Sequence, residues 1–310
     1  MCSKFFYRIK RKGMIEQFLS EFSSSRDRHE VAFLVGNGIN RHFCKQTLSW
    51  NDLVQDIGNS LAITGKYDSL SPTEHYSAMV LDRSEVAVRS RLSTILSIKQ
   101  SDRDAFSLIN NALKKLDIPV LTTNVDVLLD DGLNLYDIPY GVSQNGNLNN
   151  LMRSSMWNLN HYFSSRELTD INRGFGVWHI HGTLSHEETL RFGLIDYGKL
   201  IARIDPSLVN IFKNDWELRN TWLQPFMKLK LCIVGVRISS VEIFLRWLLL
   251  RKAHIFKDCL GTPNPGGWYL YPQCETEELK DSLQFFRNVG ITPVEFPKYK
   301  DIYDTVLELK

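Results

Sequence analysis

Much that would fix a protein class at once is scarce in this sequence. Its 310 residues contain five cysteines, Cys2, Cys44, Cys232, Cys259 and Cys274, and no two of them form a C-x-x-C pair. That argues against a disulfide framework and a structural zinc ribbon, and it fits isolated buried thiols in a reducing cytoplasm. Neither sign of charge prevails: 37 Lys and Arg oppose 35 Asp and Glu, a net +2, so neither nucleic acid nor a membrane surface is implied as the main partner. No apolar run approaches the ~20 residues of a membrane span. The longest, IFLRWLLLRKA, is broken by Arg246 and Arg251. The basic start, MCSKFFYRIKRKGMIEQF, has no apolar core after its charges and is not a secretory signal. Internal repeats and low-complexity tracts are missing as well.

What is present is alternation. Nearly continuous apolar or β-branched runs occur at 31–35 (VAFLV), 119–123 (PVLTT), 177–181 (VWHIH), 231–236 (LCIVGV), 268–271 (WYLY) and 292–296 (TPVEF). Such runs suit parallel strands covered on both faces. Helix-like stretches fall between them, at 50–62, 73–97, 102–116, 207–229, 240–257 and 275–288. The alternation predicts an α/β fold, a doubly wound, Rossmann-like parallel sheet of about six strands. Residues 1–30 read as an N-terminal arm and helix, 31–300 as one domain built on this sheet, and 299–310 as a C-terminal helix. The intervals between the first three strands exceed what single crossover helices require. Helical insertions are therefore expected around 50–116 and 140–175, capping the carboxyl edge of the sheet.

Ligands of such sheets bind beyond the carboxyl ends of the strands. The first strand ends in Gly36-Asn37-Gly38-Ile39-Asn40, where glycines permit a tight turn or a close approach to a pyrophosphate at a helix start. The third glycine of G-x-G-x-x-G is replaced by Arg41. The second strand ends in Thr122-Thr123-Asn124-Val125-Asp126, which is either an Asx-turn or an amide and a carboxylate facing a cleft. The third ends in His179-Ile180-His181-Gly182-Thr183. Period-two alternation puts both histidines on one side of the strand, and His181, followed by glycine, suits a general base. The fourth ends in Gly235-Val236-Arg237-Ile238-Ser239-Ser240, either a helix cap or a ribose- or phosphate-binding turn.

These four endings, in this order, resemble the sirtuin superfamily: a G-A-G-I-S loop, a T-x-N-x-D element, an H-G and a G-[TY]-S loop. Two departures are evident. The four-cysteine zinc module of sirtuin deacylases is missing, and Asn40 stands in place of their serine. The form G-x-G-x-N, followed by SWNDL (49–53) and FGLIDYGKL (192–200), is similar to the bacterial sirtuin-like NADases of antiphage defence.

The resemblance implies hydrolysis of NAD⁺, bound as substrate without a metal, to nicotinamide and ADP-ribose. Gly36, Gly38 and Asn40 would lie along the pyrophosphate turn, and Gly235 and Ser239 near the adenosine half. The nicotinamide ribose would sit between Asn124 and His181, flanked by Thr123 and Gly182. His181 would be the base, Asn124 would hold a water or the ribose hydroxyls, and Asp126 would orient the loop. The resemblance also implies a cytoplasmic oligomer that depletes NAD⁺, silent until a separately encoded sensor subunit, such as an ATPase or nucleotide-sensing protein, triggers it. The alternatives are NAD-dependent deacylation or ADP-ribosyl transfer, and a non-catalytic sensor of NAD⁺ or ADP-ribose.

Overall fold

A computed structural model describes residues 2–44, 48–63, 69–137, 159, 161–238, 242–259, 261–273 and 276–309. The chain is α/β, with an eight-stranded mixed sheet and eleven α-helices among the described residues. Helix α1 (Cys2–Asp27) leads into β1 (Val31–Val35), followed by α2 (Gly38–Phe43), α3 (Trp50–Ser60), α4 (Pro72–Asp82), α5 (Glu85–Ile95) and α6 (Gln100–Leu116). Strands β2 (Pro119–Thr122), β3 (Asn134–Asp137), β4 (His161–Ser164) and β5 (Gly176–His179) come next, then α7 (Leu194–Leu208), α8 (Leu223–Lys228) and β6 (Lys230–Val234). The chain closes with α9 (Ile243–His254), β7 (Gly267–Pro272), α10 (Glu277–Asn288), β8 (Ile291–Phe296) and α11 (Tyr299–Glu308).

Strand order is β3-β4-β5-β2-β1-β6-β7-β8. The six strands expected from sequence form the parallel block β5-β2-β1-β6-β7-β8. Taken in chain order that block reads 3-2-1-4-5-6, the order of the dinucleotide-binding sheet, with its switch point between β1 and β6. The expectation of a wholly parallel, six-stranded sheet needs correction. Strands β3 and β4 add an antiparallel edge, joined through Phe163 opposite Val177. Each is only four residues long, with no apolar run to announce it.

Each central strand divides its side chains between two cores, as period-two geometry requires. Ala32, Leu34, Leu121, Trp178, Leu231 and Ile233 face the layer of α7–α10. Val31, Phe33, Val35, Val120, Val177 and Cys232 face α1, α6 and α11. Helix α9, apolar nearly all round in sequence, covers the sheet through Phe244, Leu245, Leu248 and Leu249. The far edge strand, β8, carries Pro293, where a missing N–H costs no ladder bond to an outer neighbour.

Helices α3–α5 build a third core together with Val125, Leu190 and Phe192, residues that follow the carboxyl ends of β2 and β5. Phe192 stacks on Trp50 with ring centroids 4.8 Å apart and meets Tyr76 edge-on at 5.3 Å. Capping boxes start α3 (Ser49 with Asp52) and α4 (Ser71 with Glu74). The single helix expected over 73–97 is two, because Ser84 breaks the run at φ 136° and caps the next helix at Ala87 N–H. The helix expected over 207–229 is mostly turn. Asn220 is left-handed there at φ 65°, and Thr221 Oγ1 and Trp216 Nε1 bond back to the carbonyls of Leu218 and Ser207. Of the insertion expected at 140–175, residues 138–158 and 160 lie outside the described residues; within 161–175 the chain forms β4 and turns, not helix.

Candidate active site

Four motifs meet at the carboxyl ends of adjacent strands β6, β1, β2 and β5. At the switch point the turns after β1 and β6 interlock. Gly36 N–H donates to Val234 O (3.0 Å) and Gly38 N–H to Gly235 O (2.8 Å). A Cβ on Gly36 would stand 2.6 Å from Gly235 O, and one on Gly38 2.7 Å from Gly235 Cα. Gly235 itself is left-handed at φ 68°, and a Cβ there would reach 2.8 Å from Ile39 N. The glycines therefore have a reason that needs no ligand: backbone packs on backbone. Gly182 is alike, at φ 81° with Thr189 O only 2.2 Å from an ideal Cβ, so the chain after His181 folds tightly back on itself. Ser239 lies outside the described residues.

The turn after β1 also delivers Asn40, buried in α2. Its Nδ2 donates to Asp126 Oδ2 at 2.6 Å, and its Oδ1 accepts from Asn124 Nδ2 at 2.8 Å. The polarity of this relay follows from chemistry. Asp126 accepts through both oxygens, from Leu128 N–H and from Asn40, so Asn40 turns its NH₂ to Asp126 and its oxygen to Asn124. Asn124 must then spend its NH₂ on Asn40, which leaves Asn124 Oδ1 as an acceptor. That oxygen is buried and has no partner. Leu128 N–H donates to Asp126 Oδ1 at 3.1 Å. Burial pushes the Asp126 carboxyl above its usual range, opposed by the Leu128 N–H, nearby His179 and the Asn40 amide. Thr123, half-buried, continues the ladder by donating its N–H to Val35 O.

Two bonds tie the Asn124 loop to the end of β5 and the loop that follows it. Leu184 N–H donates to Val125 O at 2.8 Å, and His179 Nδ1 lies 2.7 Å from Asn124 O. A carbonyl only accepts, so Nδ1 carries the proton and His179 Nε2 turns to Asp130 Oδ2, 3.8 Å away. Both groups are buried, and burial pushes the Asp130 carboxyl up.

The expectation that His179 and His181 share one side is corrected here. Strand β5 stops at His179 and the chain turns, so alternation does not extend to His181. His179 meets Phe163 edge-on at 5.6 Å, in one core layer. His181 meets Tyr197 and Phe244, at 5.5 and 6.1 Å, in the other. A small cleft of about 40 Å³ lies beside the first histidine, with His179, His161, His186 and Phe163 in its wall together with Gly182 and Thr183 of the turn after His181.

Buried among these rings, His181 is pushed down to about 4 and stays neutral at physiological pH. Its Nδ1 lies 3.4 Å from the Tyr197 hydroxyl. The sequence reading passed over Tyr197, Asp130 and Glu242. The signals were faint: Tyr197 sits in the quoted FGLIDYGKL, Asp130 four residues past Asp126, and Glu242 just beyond the serines that follow Gly235. Half-buried Glu242 is pushed up to about 7 by burial. Among the described residues, no group of three or more His, Cys, Asp or Glu side chains could hold a metal ion, and no helix is long and apolar enough to cross a membrane. Cys44 and Cys232 are free, buried thiols. No protein-family model matches the chain, and no curated protein matches it.

Proposed function

We propose that this protein hydrolyses NAD⁺ to nicotinamide and ADP-ribose on a Rossmann-like, doubly wound sheet. The observation that carries the reading is the Asp126–Asn40–Asn124 relay, which holds one buried amide oxygen without a partner at the switch-point edge. That edge is where nucleotides bind in sheets of this strand order. An acceptor with no internal partner suits a hydroxyl donor such as a ribose or a water. The loop carrying Asn124 is bonded to the loop after β5, which carries neutral His181.

In the proposed reaction the bond from ribose C1′ to the nicotinamide nitrogen breaks. Its electron pair leaves with the nicotinamide, neutralising the pyridinium, so little push is needed. A water oxygen bonds to C1′ and gives its proton to His181. Asn124 orients the water or the ribose hydroxyls through Oδ1, and Asp126 acts at one remove by fixing the direction of both amides. Gly36, Gly38 and Gly235 bring backbone close to the dinucleotide, Asn40 and Thr123 flank it, and Gly182 sets the turn after the base. Ser239 belongs to the adenosine end of the proposal. We further read the chain as the NAD⁺-depleting effector of an antiphage system, a cytoplasmic oligomer switched on by a separate sensor subunit.

The test quantifies both products from NAD⁺. Nicotinamide and ADP-ribose in equal amounts are expected. A cyclic product, or ADP-ribose attached to protein, would replace hydrolysis by cyclisation or transfer. Binding with no release, even beside co-purified partner chains, would leave a sensor.

A further inference from the structure

Tyr197 is the polar group whose side chain meets the proposed base. It sits in the first turn of α7, which is tied to α4 and closed by its own capping bond. Ser77 Oγ of α4 accepts Leu194 N–H at 2.9 Å, and Asp196 Oδ2 accepts Gly193 N–H at 3.2 Å. The Tyr197 ring stacks on Phe244 of α9 with centroids 5.2 Å apart and planes 11° from parallel. The hydroxyl therefore projects from a ring held by two helices, 3.4 Å from His181 Nδ1. Tyr197 and His181 are both buried, at 7% and 6% exposure, so water is a poor substitute for this contact.

The tautomer of an imidazole is set by the bond its other nitrogen makes. A phenol both donates and accepts, so it can receive an Nδ1–H, whereas an aromatic ring without the hydroxyl cannot. We propose that Tyr197 is a positioning residue that accepts the His181 Nδ1–H and so presents His181 Nε2 as the nitrogen that takes the proton. This rests on the NADase reading for its consequence in turnover, but not for the contact itself.

The acidic groups acting on Tyr197 are Glu242, at the start of α9, and Asp196, its neighbour in α7; Tyr76 of α4 acts on it as well. Each favours the neutral phenol; burial is the larger influence and acts in the same direction, so the phenol is neutral and the hydroxyl keeps its own proton. The ring contacts facing His181 come from Tyr197 and Phe244.

Tyr197→Phe separates the hydroxyl from the packing, because the ring and its stack on Phe244 remain. The experiment records ¹⁵N-correlated imidazole spectra of the full chain at pH 7.5, with His181 assigned by its loss in His181→Gln. The wild type is expected to show the Nδ1–H tautomer, and Tyr197→Phe a mixture of tautomers. In the nicotinamide assay the same variant should lose about tenfold in kcat with KM unchanged within about twofold, the scale of one lost hydrogen bond. An Nε2–H tautomer in the wild type, or a Tyr197→Phe protein with wild-type tautomer and kcat, would overturn the proposal. The Nδ1–H signature in wild type and its loss in Tyr197→Phe, with no nicotinamide released by either, would uphold the positioning and sink the NADase reading.

Discussion

His181 shows how much a single residue's surroundings decide. An exposed histidine titrates near 6.5; this one is pushed down to about 4 by burial. Between those values the unfolded chain binds a proton that the folded chain refuses, so folding stability falls as pH drops from about 6.5 to 4, by roughly 3 kcal/mol in total. Urea unfolding of wild type and His181→Gln across this range should show that part of the slope vanish in the variant. An identical slope would mean His181 is not buried neutral. The same shift predicts that turnover, if His181 is the base, holds nearly level from pH 8 down to about 5.5, where an ordinary histidine would already have failed. The Asp126–Asn40–Asn124 relay makes a second prediction. Asn40→Ala strips partners from Asn124 Nδ2 and Asp126 Oδ2 at once, and each buried group left unsatisfied costs about 1–3 kcal/mol. A large fall in the urea midpoint is expected; a change under about 0.5 kcal/mol would contradict the relay. Asn40, Asn124 and Asp126 were all legible in sequence as strand-end polar residues. Their wiring was not, since no rule of spacing links residue 40 to residue 126.

At the scale of elements, the strands were legible because the central parallel strands are apolar runs buried on both faces. The helices were legible where caps, amphipathic spacing or a long apolar run marked them, as at Ser49, in α6 and in α9. Ser84 and Asn220 broke two expected helices through local backbone geometry that periodicity does not register. Strands β3 and β4 escaped because NLYD and HYFS carry no run to read. The glycines were legible as a turn, but the interlock of two turns is a tertiary fact. It predicts an ordering of substitutions. Gly132→Ala meets nothing within 4 Å, so it pays only for left-handed backbone, about 1–2 kcal/mol. Gly235→Ala adds a clash with the Ile39 backbone and should cost about 3 kcal/mol or more. Thermal midpoints of the two variants check this, and equal losses would show that the interlock gives way freely.

For the whole molecule, the arrangement is a sheet with helices on both faces and a small helical module, α3–α5, set over the loops that end β2 and β5. Phe192 is the pivot of that module, gripped by Trp50 and Tyr76. Because the module's core includes Val125, next to Asn124, loosening it should disturb the site as well as the fold. Phe192→Ala removes a buried aromatic side chain and is expected to cost about 3–5 kcal/mol. The resemblance read from four short motifs remains the source of the functional proposal; the fold adds that these motifs converge on one edge of one sheet.

The central claim is that His181 serves turnover rather than NAD⁺ binding. The most direct measurement takes wild type and His181→Ala, each as the full chain alone and with the partner chains that co-purify with it, and records NAD⁺ binding by calorimetry beside nicotinamide release. The account predicts that both proteins bind NAD⁺ with similar affinity and that release falls by about a hundredfold or more in the variant. Wild-type release from His181→Ala, or a wild-type protein that does not bind NAD⁺, would contradict it.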